Sequence, residues 1–339
     1  MSKRILSHSE ISTAYDCQAK HAYAYTGVLT GGDALKPKRV HVNLREGRAW
    51  GAGIAAWHYT GDKSAAHAAM ARSLAADAED LTAAGFYDAQ EHHATKNKLA
   101  AILDHEIAMS GRLDMVAMEE HLRVAVRSRG GRRSPRYDFE GYLDGVVRDE
   151  AGRTWIWEGT LRKQLSSLDQ VARSPQLRRY AWAWREVHGE QPAGIILDER
   201  LNAAPSEVKL NANGSVSKVQ SCTALAYIDA CLEIGQEPDE EVLAKLSAKR
   251  WGERHRVFLT ELEVTQAGRD LDSSARLIHQ LEAARDKDRL EPVRNPNPMR
   301  CPGCSFKEIC GSPYDPELID ALFERVPPKR LRPEKEIAA

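Results

Sequence analysis

The chain has 339 residues, enough to bury a sizeable core as one large domain or two, and its mean hydropathy of -0.51 is that of an ordinary folded globular protein. No apolar run approaches the roughly 20 residues a membrane helix needs, and Met1-Ser2-Lys3-Arg4 leads into no apolar signal core, so neither membrane insertion nor secretion is expected. A formal net charge of -1 gives no global attraction to nucleic acid, so such binding must come from local clustering of the 48 basic residues.

Ser7 stands three residues before Glu10, the capping-box spacing, and starts a helix that carries Tyr15, Cys17, Tyr23 and Tyr25 until Gly27 and Gly31-Gly32 end it. Ala-rich stretches from about Leu44 to Trp57 and Lys63 to Ala76, then a longer one reaching Met109, read as further helices. Alternation then takes over. Met115–Val126, Tyr137–Arg148 and Thr154–Arg162 read as three strands of a meander, with turns at Gly130-Gly131 and Glu150-Ala151-Gly152. Helical spacing returns from Ser167 to Val187, and Ala193–Asp198 is a short apolar strand. Residues 203–221 form a polar excursion or hairpin. Two helices, a strand near Val257–Leu262 and a helix from Ala267 to Arg285 follow, and the Pro-, Gly- and Cys-rich end runs into a charged tail.

Three basic groups stand out. Arg123, Arg127, Arg129, Arg132, Arg133 and Arg136 fall in one stretch without an acid. Arg162, Lys163, Arg173, Arg178 and Arg179 form a second group, and Lys245, Lys249, Arg250, Arg254 and Arg256 a third. Each suits a solvated surface as well as a phosphate-tracking groove.

Of six cysteines, three lie in Cys301-Pro-Gly-Cys304-Ser-Phe-Lys-Glu-Ile-Cys310, a spacing that suits either tetrahedral zinc or an iron-sulfur cluster. A fourth soft ligand is needed, and Cys17, Cys222 and Cys231 are the candidates; the last two sit among apolar helical residues, the setting of inert core thiols. The segment Leu6-Ser7-His8-Ser9, the lone Cys17, Tyr23 and Tyr25, and the distant C-x2-C-x5-C together resemble the iron-sulfur nucleases of the AddB and CRISPR-associated RecB-like group, which includes phage-encoded exonucleases. That resemblance implies one 4Fe-4S cluster on Cys17, Cys301, Cys304 and Cys310, clasping both ends of the chain.

A second region points the same way. Phe139-Glu-Gly-Tyr-Leu-Asp144 and, after a turn, Trp155-Ile-Trp-Glu158-Gly-Thr160 bring acids to adjacent strands, where they can converge on Mg2+ or Mn2+ or remain ordinary surface acids. Gln176 and Tyr180 follow, four apart on one helix face. These features resemble the PD-(D/E)XK core with its trailing Q-x-x-x-Y motif. The resemblance implies an α/β fold, a restriction-endonuclease-like sheet flanked by helices with a helical N-terminal part. It further implies that Asp144 and Glu158 are metal ligands and that Gln176 and Tyr180 contact DNA or support the site.

The sequence departs from that pattern twice. The lysine expected two residues after the second acid is Thr160, with Arg162 one step on along the same strand face and Lys163 opposite. The histidine of a G-x-x-x-H-x-x-L/I helix falls at Gly51 in the register Gly47 to Ile54, and His58 is about two turns, roughly 10 Å, further on.

The expected organisation is one elaborated nuclease domain over 1–315, comprising a helical part (1–110), a catalytic core (111–200), a helix and strand elaboration (201–290) and a Cys-rich cluster segment (291–315), with a tail over 316–339. The resemblance implies a metal-dependent exonuclease acting on single-stranded or frayed DNA in the cytoplasm of a bacterium or phage-infected host, with recombination, helicase or CRISPR proteins as partners. Thr160 and Gly51 leave room for a catalytically inactive DNA-end-binding protein. The cysteines alone leave room for a zinc-stapled interaction module.

Overall fold

The computed structural model describes residues 3–285, 292–311 and 315–329. The elements in chain order are β1 (Arg4–Ser7), α1 (His8–Asp16), α2 (Gln18–His21), β2 (Ala34–Pro37), α3 (Val42–Thr60), α4 (Lys63–Ala83), α5 (Ala89–Met109), β3 (Met115–Arg127), β4 (Arg133–Arg148), β5 (Thr154–Arg162), α6 (Leu168–Ala172), α7 (Pro175–His188) and β6 (Gly194–Leu201). They continue with α8 (Ala224–Glu233), α9 (Glu240–Ala248), β7 (Gly252–Phe258), α10 (Glu261–Arg285), α11 (Lys307–Cys310), α12 (Pro316–Leu322) and β8 (Phe323–Val326).

Six strands form one mixed sheet in the order β1-β4-β5-β6-β7, with β3 on β4 as well. The meander β3-β4-β5 is antiparallel, and the crossover through α6 and α7 returns β6 parallel to β5. Both faces are covered, as alternation on β5 requires. Ile156 joins the core built by α1, α7 and α10, with Leu177, Trp182 and Leu271. Trp155 and Trp157 on the other face pack against α3, α4 and α5 through Trp50, Ile54, Met70 and Leu103.

The long strand β4 organises the centre. Antiparallel β3 occupies one of its edges from Arg133 to Val147. The other edge is shared: parallel β1 pairs residues Tyr137–Glu140, and β5 pairs Gly145–Arg148. Residues 141–144 on that edge therefore face neither strand. This gap opens in the middle of the sheet.

Several expectations need correction. The helix begun at Ser7, whose hydroxyl accepts from the Glu10 N–H, stops at Asp16 because Cys17 is extended (φ -161°, ψ 111°); α2 and a π-helical turn at Ala22–Thr26 follow. The expected helix from Ser167 to Val187 is two, since Pro175 restarts it as α7. The strand expected at Val257–Leu262 lies earlier, as β7. Its charged residues disguised it, because Arg254 and His255 face the buried Asp198 and Glu199 of β6 rather than water. α10 begins at Glu261 rather than Ala267, because Thr260 and Glu263 cap each other.

The region beyond 315 was expected as a tail, yet α12 and β8 are ordered there and β8 pairs with β2 near the other end of the chain. Lys329 even enters the interior, bonding the Ser7 hydroxyl and the buried Glu10 carboxylate. A satellite core of Ala19, Tyr23, Leu35, Phe306, Ile309, Ile319 and Phe323 joins the two ends. Residues 330–339 and part of the expected cluster segment, 291 and 312–314, lie outside the described residues.

Candidate functional site

Asp144 sits at the gap in β4's edge. Pairing between β4 and β5 ends at Gly145 and Trp157, and beyond it the strands diverge. The Gly159 N–H that would have extended the ladder donates instead to Asp144 Oδ2 at 3.0 Å. A carboxylate thus stands where a strand partner would, and it fixes the fork.

Glu158 is held from the other side. Gln176 on the first turn of α7 donates its Nε2 to Glu158 Oε1 at 3.1 Å, and the same amide reaches the Tyr180 hydroxyl at 3.4 Å. Tyr180 is seated against Gly141, where an added Cβ would come within 2.6 Å of its ring. The spacing of four between Gln176 and Tyr180 therefore serves a relay from Gly141 through Tyr180 and Gln176 to Glu158. Glu158 Oε2 is sealed from solvent and meets no donor among the described residues.

Two cavities meet at these acids. One, about 630 Å3, is lined by Gly47, Gly51, Glu119, Asp144, Glu158 and Thr160 among others. The other, about 390 Å3, is lined by Glu158, Thr160, Arg162, Ser166, Arg173 and Gln176 among others. Glu158 and Thr160 line both, so the two cavities adjoin at this end of β5, while Asp144 lines the larger.

Burial and mutual charge raise the proton affinity of both acids. Asp144 is pushed up to about 6, chiefly by burial, with the Gly159 N–H opposing and the Glu119 charge adding to the rise. Glu158 is pushed well above the usual carboxyl range by burial and by Asp144, against the pull of Arg162. Two carboxylates this close and this dry lack positive charge, the condition a hard divalent cation relieves. The oxygen donors fit such an ion. Yet among the described residues no three His, Cys, Asp or Glu converge as metal ligands in their present rotamers.

The departures also have places. Thr160 lines both cavities and Gly51 lines the larger, where a Cβ added to it meets nothing within 4 Å. Arg162 lines the smaller cavity, but its Nε bonds the buried Glu199 at 3.0 Å. His58 lies elsewhere: it is buried edge-on to Trp157, accepts the Leu113 N–H, and is held neutral by burial and by Arg254, Arg112 and Arg200.

Cys17, Cys301, Cys304 and Cys310 line one cavity of about 340 Å3 at the joined ends, with Tyr23 and Phe306 in its wall and Lys20, Arg294, Arg300 and Lys307 around it. The break at Cys17 brings this thiol to the loop, and Cys301 Sγ accepts the Asn297 N–H at 3.2 Å. Cys222 and Cys231 are buried in a different cluster with Tyr227 and Leu246. Many residues of the three basic groups are spoken for. Arg123 pairs with Asp138, Arg127 with Glu186, Arg173 with Asp169, Arg178 with Glu263 and Arg254 with Asp198. The exposed arginines 129, 132, 133 and 136 lie on and beside the β3–β4 hairpin.

Sequence reading missed Glu119 and Gly141. Glu119 is one of two adjacent strand acids, and only register separates it from Glu120; Gly141 carries no local signal that distinguishes it from other strand glycines.

The sequence profile described as the PD-(D/E)XK nuclease superfamily matches residues 5–311. No curated protein matches the chain. A solved structure titled "Crystal structure of SSO0001" is 13% identical and covers 70% of this chain and 78% of its own, but with a TM-score of 0.29 it carries no argument. No helix among the described residues is long and apolar enough to cross a membrane.

Proposed function

The chain belongs to the PD-(D/E)XK nuclease superfamily, and from that premise we propose that it is a divalent-metal-dependent DNA exonuclease acting on single-stranded or frayed ends, weakened by Thr160 and Gly51. The observation that supports this most is the pair Asp144 and Glu158 at the fork of β4 and β5, facing one cavity together with both departing positions.

Asp144 and Glu158 would hold Mg2+ or Mn2+, which when bound supplies Lewis acidity at the scissile phosphate. Gln176 fixes the orientation of Glu158 through its amide, and Tyr180 fixes Gln176. Thr160 offers a hydroxyl to the same cavity but no charge, so it cannot offset developing negative charge as an ammonium would. Arg162, committed to Glu199, lends Glu158 only part of that charge at a distance.

A second reading, a DNA-end-binding protein that no longer cuts, is favoured by the same two positions. End-labelled single-stranded DNA incubated with Mn2+ separates the two. Cleavage lost in Asp144→Ala supports the nuclease, binding without cleavage supports the DNA-end-binding protein, and cleavage that survives the substitution refutes the assigned site. Binding that falls steeply with salt would also exclude a zinc-stapled interaction module without a nucleic-acid role.

We read the four-cysteine cavity as the seat of a 4Fe-4S cluster. What supports this reading is that all four thiols line one cavity of about 340 Å3, with Lys20 and Arg294 also in its lining. Anaerobically purified protein that is colourless and contains zinc would refute the cluster.

A further inference from the structure

We infer that Glu119 is a third carboxylate of the cation site, supplied by β3 to the cavity that the bare position at Gly51 also lines. The inference rests on the reading of Asp144 and Glu158 as cation ligands, and deepens it.

Register places Glu119 there. Met118 pairs with Gly145 and Glu120 with Leu143, so Glu119 lies opposite Asp144. Neighbouring acids on a strand point to opposite faces, and Glu120 is occupied on its side, with Oε1 2.6 Å from His188 Nε2. Glu119 instead lines the cavity that holds Asp144, Glu158 and Gly51.

Its backbone is unusual. Among the described residues Glu119 is the one non-glycine with positive φ, at 49°, in the interior of a strand. L-residues other than Asn, Asp and Gly rarely adopt that conformation, and such outliers gather at functional sites. The side chain is exposed, and no hydrogen bond or ion pair among the described residues engages it. It has no structural partner to explain why a strained position keeps a glutamate.

An independent observation points to a ligand. Glu158 lines this cavity, and its Oε2 is buried without a donor among the described residues, a cost that a cation in the cavity would remove. Arg48 is the one basic side chain among the cavity's lining residues, and it is paired with Asp77. The three acids line one cavity but do not converge in their present rotamers. The exposed Glu119 side chain has the freedom to rotate inward once a cation neutralises the other two.

The test is titration with Mn2+ alone, without DNA, followed by the paramagnetic resonance of the free ion and by calorimetry. Glu119→Gln and Glu119→Asn should each weaken Mn2+ at least about tenfold, since affinity follows the number of charged ligands. Asn tolerates positive φ, so Glu119→Asn should melt in EDTA no lower than the unsubstituted protein. Gly51→His added to Glu119→Gln should recover affinity, because it returns a ligand to the same cavity. Unchanged Mn2+ affinity in both Glu119 variants, with binding lost in Asp144→Asn, would overturn the inference and leave the Asp144 and Glu158 reading standing. If the unsubstituted protein takes up no Mn2+, or Asp144→Asn binds as well as it does, that reading fails and Glu119 falls with it.

Discussion

Replacing Asp144 with Asn should make the metal-free protein more stable at neutral pH while removing its response to metal. The fold raises the Asp144 proton affinity from the usual 3.8 to about 6. At about 1.36 kcal/mol per pH unit, holding this carboxylate ionised costs about 3 kcal/mol. The sign follows from linkage. Below about pH 4 the carboxyl is protonated in folded and unfolded chains alike, and nothing is lost. Between about 4 and 6 the unfolded chain ionises first, so stability falls; above about 6 the whole penalty is present. Asn keeps an acceptor for the Gly159 N–H, so the fork of β4 and β5 is retained. With an unfolding entropy of about 2.1 cal/mol/K per residue, or about 0.7 kcal/mol/K for this chain, the gain corresponds to about 4 °C. Urea unfolding and thermal melts in EDTA at about pH 4 and pH 8 read it directly, and the difference should appear only at the higher pH. Addition of Mn2+ should then stabilise the unsubstituted protein and leave Asp144→Asn unmoved. A variant that is less stable at about pH 8, or equally stabilised at both pH values, would refute the account of Asp144 as a buried, electrostatically frustrated carboxylate.

Gly141→Ala should cost about 1–3 kcal/mol in urea unfolding, because its Cβ would stand 2.6 Å from the Tyr180 ring in a packed core; unchanged stability would show that Tyr180 is not seated by this glycine. Thr160→Lys with Gly51→His should raise Mn2+-dependent cleavage of labelled single-stranded DNA, since a charge and a ligand enter a cavity with room at Gly51; no gain would mean that activity is limited elsewhere. Cys310→Ser should bleach the visible absorbance and lower the melting point, because the cavity it lines joins the two ends of the chain; retained colour would exclude Cys310 as a ligand.

Patterning by itself determined much of this protein. Alternation placed the three meander strands to within a few residues, because burial on a pleated sheet has a period of two that composition cannot hide. Asp144, Glu158, Gln176 and Tyr180 were legible as candidates through spacing along single elements, whereas Thr160 and Gly51 stood out as departures only against the PD-(D/E)XK pattern that the sequence resembles. Where charge rather than apolarity fills an interior position, patterning failed. β7 hid because its Arg254 and His255 face buried acids, and β8 hid in an apparent tail because its partner, β2, lies near the opposite end of the chain. The fork that positions the site was beyond sequence altogether. It depends on β1 and β5 sharing one edge of β4 and leaving residues 141–144 free, a consequence of pairing between segments far apart in the chain. Glu119 depends on the same pairing, since two adjacent strand acids are indistinguishable until register decides which of them faces Asp144. Local chemistry is written in the order of residues, whereas convergence of distant side chains is settled only when the sheet closes around them.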